Sequence, residues 1–443
     1  MNNQNTLFTL PDIPVKNETV RMNHGKPRLN SPLRNQIEMV MKSLDDLLPA
    51  EHLARDVWNY VKNLDLSKSL AKIQSVEGNV GRPATDPKVL LSLWIYGTIK
   101  GIGSARMIDE YCKEHDAYKW LCGGVEVNNH TISDFRTTQE EQFNDILIQS
   151  VAILSKANII SLEKISHDGL KVRACAGSSS FKRGVTLEGQ FELAKLLVED
   201  LQEEAKRNPN ACKDRTTAAQ IRLAQEKKQN LEMALEELEK IKAEKKKAAK
   251  RDRKTIGEAD LNKARSSTTD PEARVMKMAC SGFRPAYNVQ FASTNKGKAI
   301  VAVEVLNKGN DKNQICKMIQ QIEKQYSIVP KKYFVDGGYR GQEELERTVE
   351  RYNGCEIYMP VSEETSEKQK LKESEAEVAL RKRMETPEAK ELYKERAATA
   401  EFVNAQSRNK GLQQFRVKGL KKVKCGALLF AIVQNIKISL NIQ

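Results

Sequence analysis

The sequence predicts an α/β protein in which a helical N-terminal region precedes a core of mixed strands and helices. Three observations support this class. Apolar residues recur at steps of three and four over the first third of the 443-residue chain. Alternating, β-rich segments occur around residues 159–177 and 287–305, and a long polar segment with helical periodicity separates them. A chain made only of helices or only of strands would not show both periods.

Composition limits the classes of function that the chain can have. Lys and Arg number 73 against 59 Asp and Glu, and the resulting net charge of +14 suits a polyanionic partner such as nucleic acid. The eight cysteines occur singly, without a C-x-x-C pair, so neither a zinc knuckle nor a thioredoxin-type site is expected. The sequence has no signal-peptide pattern and no apolar run of about 18 residues, which predicts a cytoplasmic protein without membrane contact.

The first 157 residues divide into two predicted parts. Residues 1–34 are polar and contain several prolines and asparagines, which indicates an extended arm. Residues 35–157 follow a helical period and contain Gly-bearing turns, which predicts a helical domain. Helices joined by tight turns are typical of helix-turn-helix DNA-binding proteins, but an ordinary helical bundle has the same pattern. The pattern leaves both possibilities open.

Capping residues indicate where the helices of this domain begin. Asp86, which is followed by Pro, predicts the N-cap of one helix, and Ser104 predicts the cap of the next. Thr131, with Asp134 in capping-box position, predicts the start of a third helix that extends to about residue 156.

Strand-like alternation begins at residue 158 and is interrupted by a long insertion. Residues 158–186 predict the first strands of the core, as a strand, a bend at an Asp-Gly pair and a second strand. Residues 187–268 have apolar side chains at helical spacing among Glu, Lys and Gln, which predicts a helical hairpin or short coiled coil. Residues 269–443 predict the rest of the core, and their acid-free final segment, 402–443, is basic and strand-like.

Carboxylates are the main candidates for chemistry, because the sequence has no P-loop, no nucleophile elbow and no zinc-binding histidine pair. Asp168 and Asp336 each follow an apolar segment and precede glycine, so each would be rigidly held beside a space without a Cβ atom. Glu401 is a third acid, in a predicted helix. Three such carboxylates suit Mg²⁺, and two Mg²⁺ ions can promote an in-line displacement at phosphorus. Each acid alone is equally typical of a turn or a helix surface.

Three motifs occur in a fixed order along the chain. The last is a series of the form Tyr-x2-Arg-x4-Glu-x6-Arg, made of Tyr393, Arg396, Glu401 and Arg408. The first is the segment His167-Asp-Gly-Leu-Lys-Val-Arg-Ala, and the second is Asp336-Gly-Gly-Tyr. This order resembles bacterial insertion-sequence transposases of the DDE class, in the branch whose last acid lies in a Tyr-x2-Arg-x(3–4)-Glu-x6-Lys/Arg signature. The resemblance extends from about residue 32 to residue 435.

The resemblance implies an RNase H-like catalytic core with Asp168 on the first strand, Asp336 on the fourth and Glu401 on a following helix. These three residues would be the catalytic acids and would hold two Mg²⁺ or Mn²⁺ ions. The ions would promote cutting at the ends of the element and the attack of a freed 3′-hydroxyl on target DNA. The helical hairpin would be an insertion in this core.

The resemblance also implies partners. Tyr393, Arg396 and Arg408 would lie near the DNA strand being cut, and Lys410 and Arg416 belong to the acid-free segment expected to contact the backbone. The partners would be double-stranded DNA, as terminal inverted repeats and as target, and a second copy of the chain in a homodimer. A nucleoid-associated location follows from that partner.

Two alternative functions remain open at this stage. A nuclease of the same fold would cut DNA without joining it, and a catalytically inactive derivative would bind DNA without cutting it. Neither alternative requires a change in the predicted fold.

Overall fold

The structure is a computed structural model. It describes residues 37 and 39 and residues 41–441, apart from 77, 79–81, 208–214, 252–253, 280–281 and 362–373. The predicted arm, residues 1–34, lies outside the described residues.

The N-terminal region is helical, as predicted. A short 3₁₀ turn at Asp45–Leu47 precedes seven described α-helices, α1 (Leu53–Lys62), α2 (Ser67–Leu70), α3 (Pro87–Ile99), α4 (Ala105–Glu114), α5 (Asp116–Cys122), α6 (Asn129–Thr138) and α7 (Glu140–Lys156). Helix α3 is buried on every side except at Lys88, so the other helices surround it.

Two of the three predicted caps are confirmed. Asp86 Oδ1 accepts from the Lys88 N–H at 2.7 Å, and Ser104 Oγ accepts from the Met107 N–H at 3.5 Å. The prediction at Thr131 was wrong. The cap is Asn128, whose Oδ1 accepts from the Thr131 N–H at 2.9 Å, so the helix begins three residues earlier than expected.

The third predicted helix is in fact two helices, α6 and α7. Gln139 separates them with non-helical dihedral angles of −106° and 36°. The two residues before it, Thr137 and Thr138, bond back through their hydroxyls to carbonyl oxygens one turn earlier. Such side-chain bonds compete with the helical ladder and explain why the helical period in the sequence does not give one continuous helix.

A mixed sheet follows the helical region. The described strands are β1 (Lys164–Arg173), β2 (Phe181–Lys182), β3 (Ser266–Ser267), β4 (Arg274–Lys277), β5 (Phe283–Thr294), β6 (Ile300–Leu306), β7 (Lys332–Phe334) and β8 (Glu356–Tyr358). Strand β1 is central: it pairs antiparallel with β5 and parallel with β7, which in turn pairs parallel with β8. Strands β4 and β6 both pair with β5, and β2 and β3 form a separate pair.

The expectation of a bend at Asp168-Gly169 was wrong. Strand β1 is continuous, with Asp168 paired to Phe291 and Gly169 to Gln290 in unbroken register. An Asp-Gly pair is typical of a turn, but here the antiparallel ladder to β5 runs through both residues and keeps the chain extended, while the parallel pairing to β7 holds the strand just before them, at residues 164–166.

The remaining helices lie between and after the strands. They are α8 (Gly184–Arg207), α9 (Arg215–Arg251), α10 (Glu258–Leu261), α11 (Ile315–Tyr326), α12 (Gln342–Arg351), α13 (Glu375–Glu385), α14 (Pro387–Asn409) and α15 (Leu420–Ser439). Helices α8 and α9 pack on each other through Leu187, Ala194 and Leu231, which confirms the inserted helical hairpin.

The strand-like prediction for the final segment was wrong, because α15 is a 20-residue helix. Its β-branched side chains, such as Ile432 and Ile436, suggested a strand. They are fully buried, because α15 packs against α7 and β6. Asn435 bonds the backbone of Ile300 through both its donor and its acceptor, at 2.8 and 2.9 Å. Tertiary packing therefore overrides local propensity in this segment.

The mixed α/β class, with a helical N-terminal region and a sheet core, is confirmed. Residues on the N-terminal helices, on β1, β5 and β6, and on α15 share one large hydrophobic cluster. The predicted domain boundaries at residues 157, 186 and 268 stay predictions. No helix in the described part of the chain is both long and apolar enough to cross a bilayer.

Candidate active site

Two of the predicted acids lie on neighbouring parallel strands. Asp168 is in the middle of β1, and Asp336 comes two residues after the end of β7. The parallel register pairs Ser166 of β1 with Phe334 of β7. Because side chains alternate between the two faces of a strand, the residues two positions further on, Asp168 and Asp336, lie opposite each other on the same face. Adjacent strands lie about 4.8 Å apart, which brings these two carboxylates together at one edge of the paired region.

Helix α14 covers this face of β1 and supplies two partners for Asp168. Arg396 Nη2 donates to Asp168 Oδ1 at 3.1 Å, and Asn404 Nδ2 donates to Asp168 Oδ2 at 2.9 Å. Eight residues, or about two helical turns, separate the two donors, so both project from one face of the helix. The side chains of Arg396 and Asp168 are 13% and 23% exposed, which leaves this ion pair mostly shielded from water.

The charge of the site is not balanced. Burial raises the pKa of Asp168, Arg396 and the Gly169 N–H oppose that rise, and the like charges of Asp336 and Asp311 add to it. Two other carboxylates therefore act on Asp168, with a single arginine among the groups that shift its pKa. Asp336 itself is exposed, so this excess of negative charge is open to solvent on one side and is the electrostatic condition that favours a bound cation.

Glu401 lies on the same helix but does not join Asp168 in this structure. It comes three residues before Asn404, which places it 4.5 Å along the helix axis and 60° around it, by ideal helix geometry of about 1.5 Å and 100° per residue. Its side chain is exposed, and no hydrogen bond or ion pair joins it to another described residue. Its assignment as the third catalytic acid stays a prediction.

The predicted DNA-contacting residues are spread over two places. Tyr393 donates its hydroxyl to the Val335 carbonyl at 3.0 Å, beside Asp336, and burial raises its pKa to about 12. Arg408 is exposed in the last turn of α14, about 18 Å along the helix from Arg396. Lys410 Nζ bonds the Ile99 carbonyl at 3.2 Å, and Arg416 lies beyond it in the segment between α14 and α15.

A further carboxylate, Asp311, was missed by the sequence analysis. It lies between β6 and α11, and its Oδ1 accepts from Asn288 Nδ2 and Gln290 Nε2, both at 2.7 Å. Gln290 Oε1 in turn accepts from the hydroxyl of Tyr339, the last residue of the Asp336-Gly-Gly-Tyr motif. The sequence offered one signal for this site: the amide side chains of Asn288 and Gln290 stand at alternate positions of a mostly apolar strand, and such side chains need polar partners when they are buried.

This polar network explains why residue 169 is glycine. The backbone of Gly169 is extended, so conformational freedom is not the reason. A Cβ atom there would lie 2.5 Å from Asp311 Oδ1, 2.7 Å from Gln290 Nε2 and 2.8 Å from Asn288 Oδ1. The network therefore packs directly against the backbone next to Asp168.

Asn404 was also missed, although its spacing from Arg396 places it on the same helical face. Its side chain is 7% exposed, and its Oδ1 is buried without a hydrogen-bond partner among the described residues. A buried amide oxygen with no partner is rare, and it is a suitable ligand for a hard divalent cation.

The donor set fits such a cation in part. Asp168 and Asp336 supply carboxylate oxygens, and Asn404, whose Nδ2 donates to Asp168, has an unpaired Oδ1 on the same amide. In the described residues no group of three or more His, Cys, Asp or Glu side chains is arranged to hold a metal ion. A third carboxylate would therefore have to approach by side-chain rotation, and Glu401 is exposed one helical turn from Asn404.

We expect Asn404→Ala to weaken Mn²⁺ binding by about 10–100-fold, since Asn404 fixes Asp168 and offers the unpaired oxygen. Titration of Mn²⁺ followed by electron paramagnetic resonance measures the affinity. Gln406→Ala, on the same helix, is the matched control and should leave the affinity unchanged. Equal Mn²⁺ affinity in the Asn404 variant and the control would contradict the role of Asn404.

Two comparisons with protein families gave matches. A model described as a transposase domain (DUF772) matches residues 42–138, the region of helices α1–α6. A model described as a transposase DDE domain matches residues 353–438, which include β8, α13, α14 and most of α15. The second match contains Tyr393, Arg396 and Glu401, and neither match contains Asp168 or Asp336. Comparison with curated proteins and with solved structures found no match.

Proposed function

Because these two domains identify the chain as an insertion-sequence transposase of the DDE class, we propose that it binds the ends of its element, cuts them and joins them to target DNA in a reaction that depends on Mg²⁺ or Mn²⁺. The observation that supports this most strongly is the position of Asp168 and Asp336 side by side under α14. That helix also contains the Tyr393, Arg396 and Glu401 series.

The proposed metal ligands are Asp168, Asp336 and Glu401, for two divalent ions. When bound, such ions would activate the attacking oxygen and stabilise the leaving oxygen of a phosphodiester. The other residues prepare the site. Asn404 orients one oxygen of Asp168, and Tyr393 holds the Val335 carbonyl and so fixes the backbone just before Asp336.

Arg396 has two roles in this proposal. Its guanidinium shields the negative charge of Asp168 before DNA binds. Its Nε is buried and has no partner among the described residues, so the group retains a donor for the phosphate of the strand being cut. Arginine suits this position because its planar donors match phosphate oxygens.

DNA binding extends beyond the carboxylates. We propose that the helices of the DUF772 region recognise the inverted repeats and that the basic residues after α14, among them Arg408, Lys410 and Arg416, contact the backbone. Two ends must be brought together for joining, so we propose a homodimer on DNA. A nucleoid-associated location is part of the same proposal.

The test is incubation of the full chain with Mg²⁺ and a supercoiled donor plasmid that contains the ends of the element. We expect nicked and then joined products, and none when EDTA removes the metal. Glu401→Gln should abolish cutting, whereas Asp311→Asn should lower it by about 10–100-fold, because Asp311 holds neighbouring residues in place without binding the reacting atoms. End binding by both variants, measured by gel shift in EDTA, should stay close to that of the unchanged protein.

The products distinguish the alternatives. Nicking without joined products would favour a nuclease of the same fold, and binding without nicking would favour an inactive derivative. Full cleavage by Glu401→Gln would show that Glu401 is not the third acid. A greater loss in Asp311→Asn than in Glu401→Gln would transfer that role to Asp311.

A further inference from the structure

A cleft of about 850 Å³ lies at the far end of β1 from Asp336. Four arginines from four separate elements line it: Arg106 of α4, Arg136 of α6, Arg173 of β1 and Arg416 after α14. Of the described residues that line this cleft, none is Asp or Glu. None of the four arginines forms an ion pair within the described part of the chain, so their charge is not compensated there.

Arg136 is fixed at the base of this arginine cleft. Its guanidinium lies 4.3 Å from the centre of the Trp94 ring, and an Nη1 donates to the Gly103 carbonyl at 2.9 Å. Burial and the nearby charge of Arg416 lower its pKa to about 10, so it stays protonated at neutral pH. Its Nε is buried without a partner among the described residues. Two like charges held close together without an acid favour a bound anion.

The N-terminal ends of two helices also favour a bound anion in this cleft. The first residues of α4 and α6, Ala105 and Asn129, both line the arginine cleft. Each helix is ten residues long, and each N-cap side chain satisfies only one of the free N–H groups, at Met107 and Thr131. In α6 the Asn129 N–H also donates to Asp109 Oδ2, at 3.2 Å. The His130 N–H of that turn and the Ala105 and Arg106 N–H groups of α4 remain available to an anion at the positive ends of the helices.

The cleft has a fixed distance from the carboxylates. Arg173 comes five residues after Asp168 on the same continuous strand, so about 17 Å separates them at 3.3–3.4 Å per residue. The Arg173 N–H donates to the Gln413 carbonyl at 3.1 Å, and the Phe415 N–H donates to the Arg173 carbonyl at 2.8 Å. These bonds attach the Arg416 segment to the end of β1. In B-form DNA the same 17 Å corresponds to about five base pairs along the axis.

We propose that the arginine cleft binds backbone phosphates of duplex DNA about five base pairs from the bond that is cut. The proposal rests on the proposed function and adds to it a second contact on the same strand of the sheet. It connects a residue of the catalytic sheet, Arg173, with helices of the DUF772 region. A DNA strand bound there would be held at a set distance from Asp168 and Asp336.

The test compares two double variants that each remove two positive charges. Arg173→Ala with Arg416→Ala changes the cleft, and Lys317→Ala with Lys324→Ala changes exposed lysines on α11. Arg136 is left unchanged because it packs on Trp94. The affinity of each protein for a 30-base-pair duplex of arbitrary sequence is measured between 50 and 200 mM salt, in EDTA so that no cutting occurs.

We expect the slope of log affinity against log salt to become shallower by about 1.8 in the cleft variant, since each phosphate contact contributes about 0.9. The lysine control should keep the slope of the unchanged protein. Arg106→Ala alone should make the slope shallower by about 0.9. This single variant is a second test of the cleft in case the double variant does not fold. Equal slopes in the cleft variant and the control would overturn the proposal.

The slope does not depend on cleavage, so this test and the test of the proposed function can fail separately. If the cleft substitutions make the slope shallower but the unchanged protein never cuts DNA, the cleft remains a DNA-binding site and the catalytic proposal is rejected. If the cleft substitutions leave the slope unchanged and the unchanged protein cuts and joins DNA, the proposed function stands and the cleft is rejected as a DNA-binding site.

Discussion

Asp168→Asn is expected to lower strand cleavage by about 10³-fold or more while the protein remains folded. The substitution keeps the shape of the side chain and removes the charge that a divalent ion requires. Cleavage is measured as nicked plasmid in Mg²⁺ over time. Asp145→Asn is the matched control, since Asp145 pairs with Lys68 at 2.6 Å on the partly exposed side of α7, and it should leave cleavage unchanged.

The same variant has an expected effect on stability. Burial and the like charges of Asp336 and Asp311 raise the pKa of Asp168 in spite of Arg396, so removing its charge should leave the melting temperature without metal unchanged or raised. The stabilisation that Mg²⁺ gives to the unchanged protein, about 1.4 kcal/mol at ten times the dissociation constant, should disappear. A variant that retains both the cleavage rate and the Mg²⁺-induced rise in melting temperature would show that Asp168 is not a ligand.

Gly169→Ala is expected to destabilise the protein by about 1–3 kcal/mol, and to impair cleavage as well. The added methyl group would lie within 2.8 Å of Asp311, Gln290 and Asn288, whose side chains are hydrogen-bonded to one another through Asp311 Oδ1 and have little freedom to move. Any shift of β1 that relieves this overlap also moves Asp168. The urea midpoint measures the stability, and the plasmid assay measures the activity.

Gly189→Ala is the control for that substitution. Gly189 lies inside α8, and a Cβ atom there would have no heavy atom within 4 Å. Alanine should therefore stabilise this helix by about 0.5–1 kcal/mol, because it has the higher helix propensity. If Gly169→Ala kept the urea midpoint of the unchanged protein, the close packing described between β1 and Asp311 would not exist in solution.

Features that depend on a few neighbouring residues were predictable from the sequence. The caps at Asp86 and Ser104 use side chains that bond a backbone N–H two or three residues away, so the pattern contains all the required information. The hairpin of α8 and α9 was predictable for the same reason, because the spacing of apolar residues along each helix involves only neighbouring residues. The extended conformation of Asp168-Gly169 was not predictable, because pairing with the distant strand β5 decides it.

Features that depend on distant segments were not predictable. Asp311 enters the site only because β5, β6 and the Asp336 loop converge, and nothing near Asp311 in the sequence indicates this. Helix α15 contains many β-branched residues, and only its burial against α7 and β6 makes it a helix. Whether Glu401 reaches the carboxylates is decided by a side-chain rotation on α14, which a sequence motif does not specify.

The burial of α15 against α7 and β6 has a consequence for synthesis of the protein. Its apolar side chains complete the same hydrophobic cluster that the N-terminal helices begin. The ribosome must add the intervening residues, 157–419, before that cluster can close, which at about 5–20 residues per second takes tens of seconds. During that interval the nascent N-terminal helices expose an incomplete apolar surface, so the newborn chain is open to chaperone capture and to aggregation until translation is nearly finished.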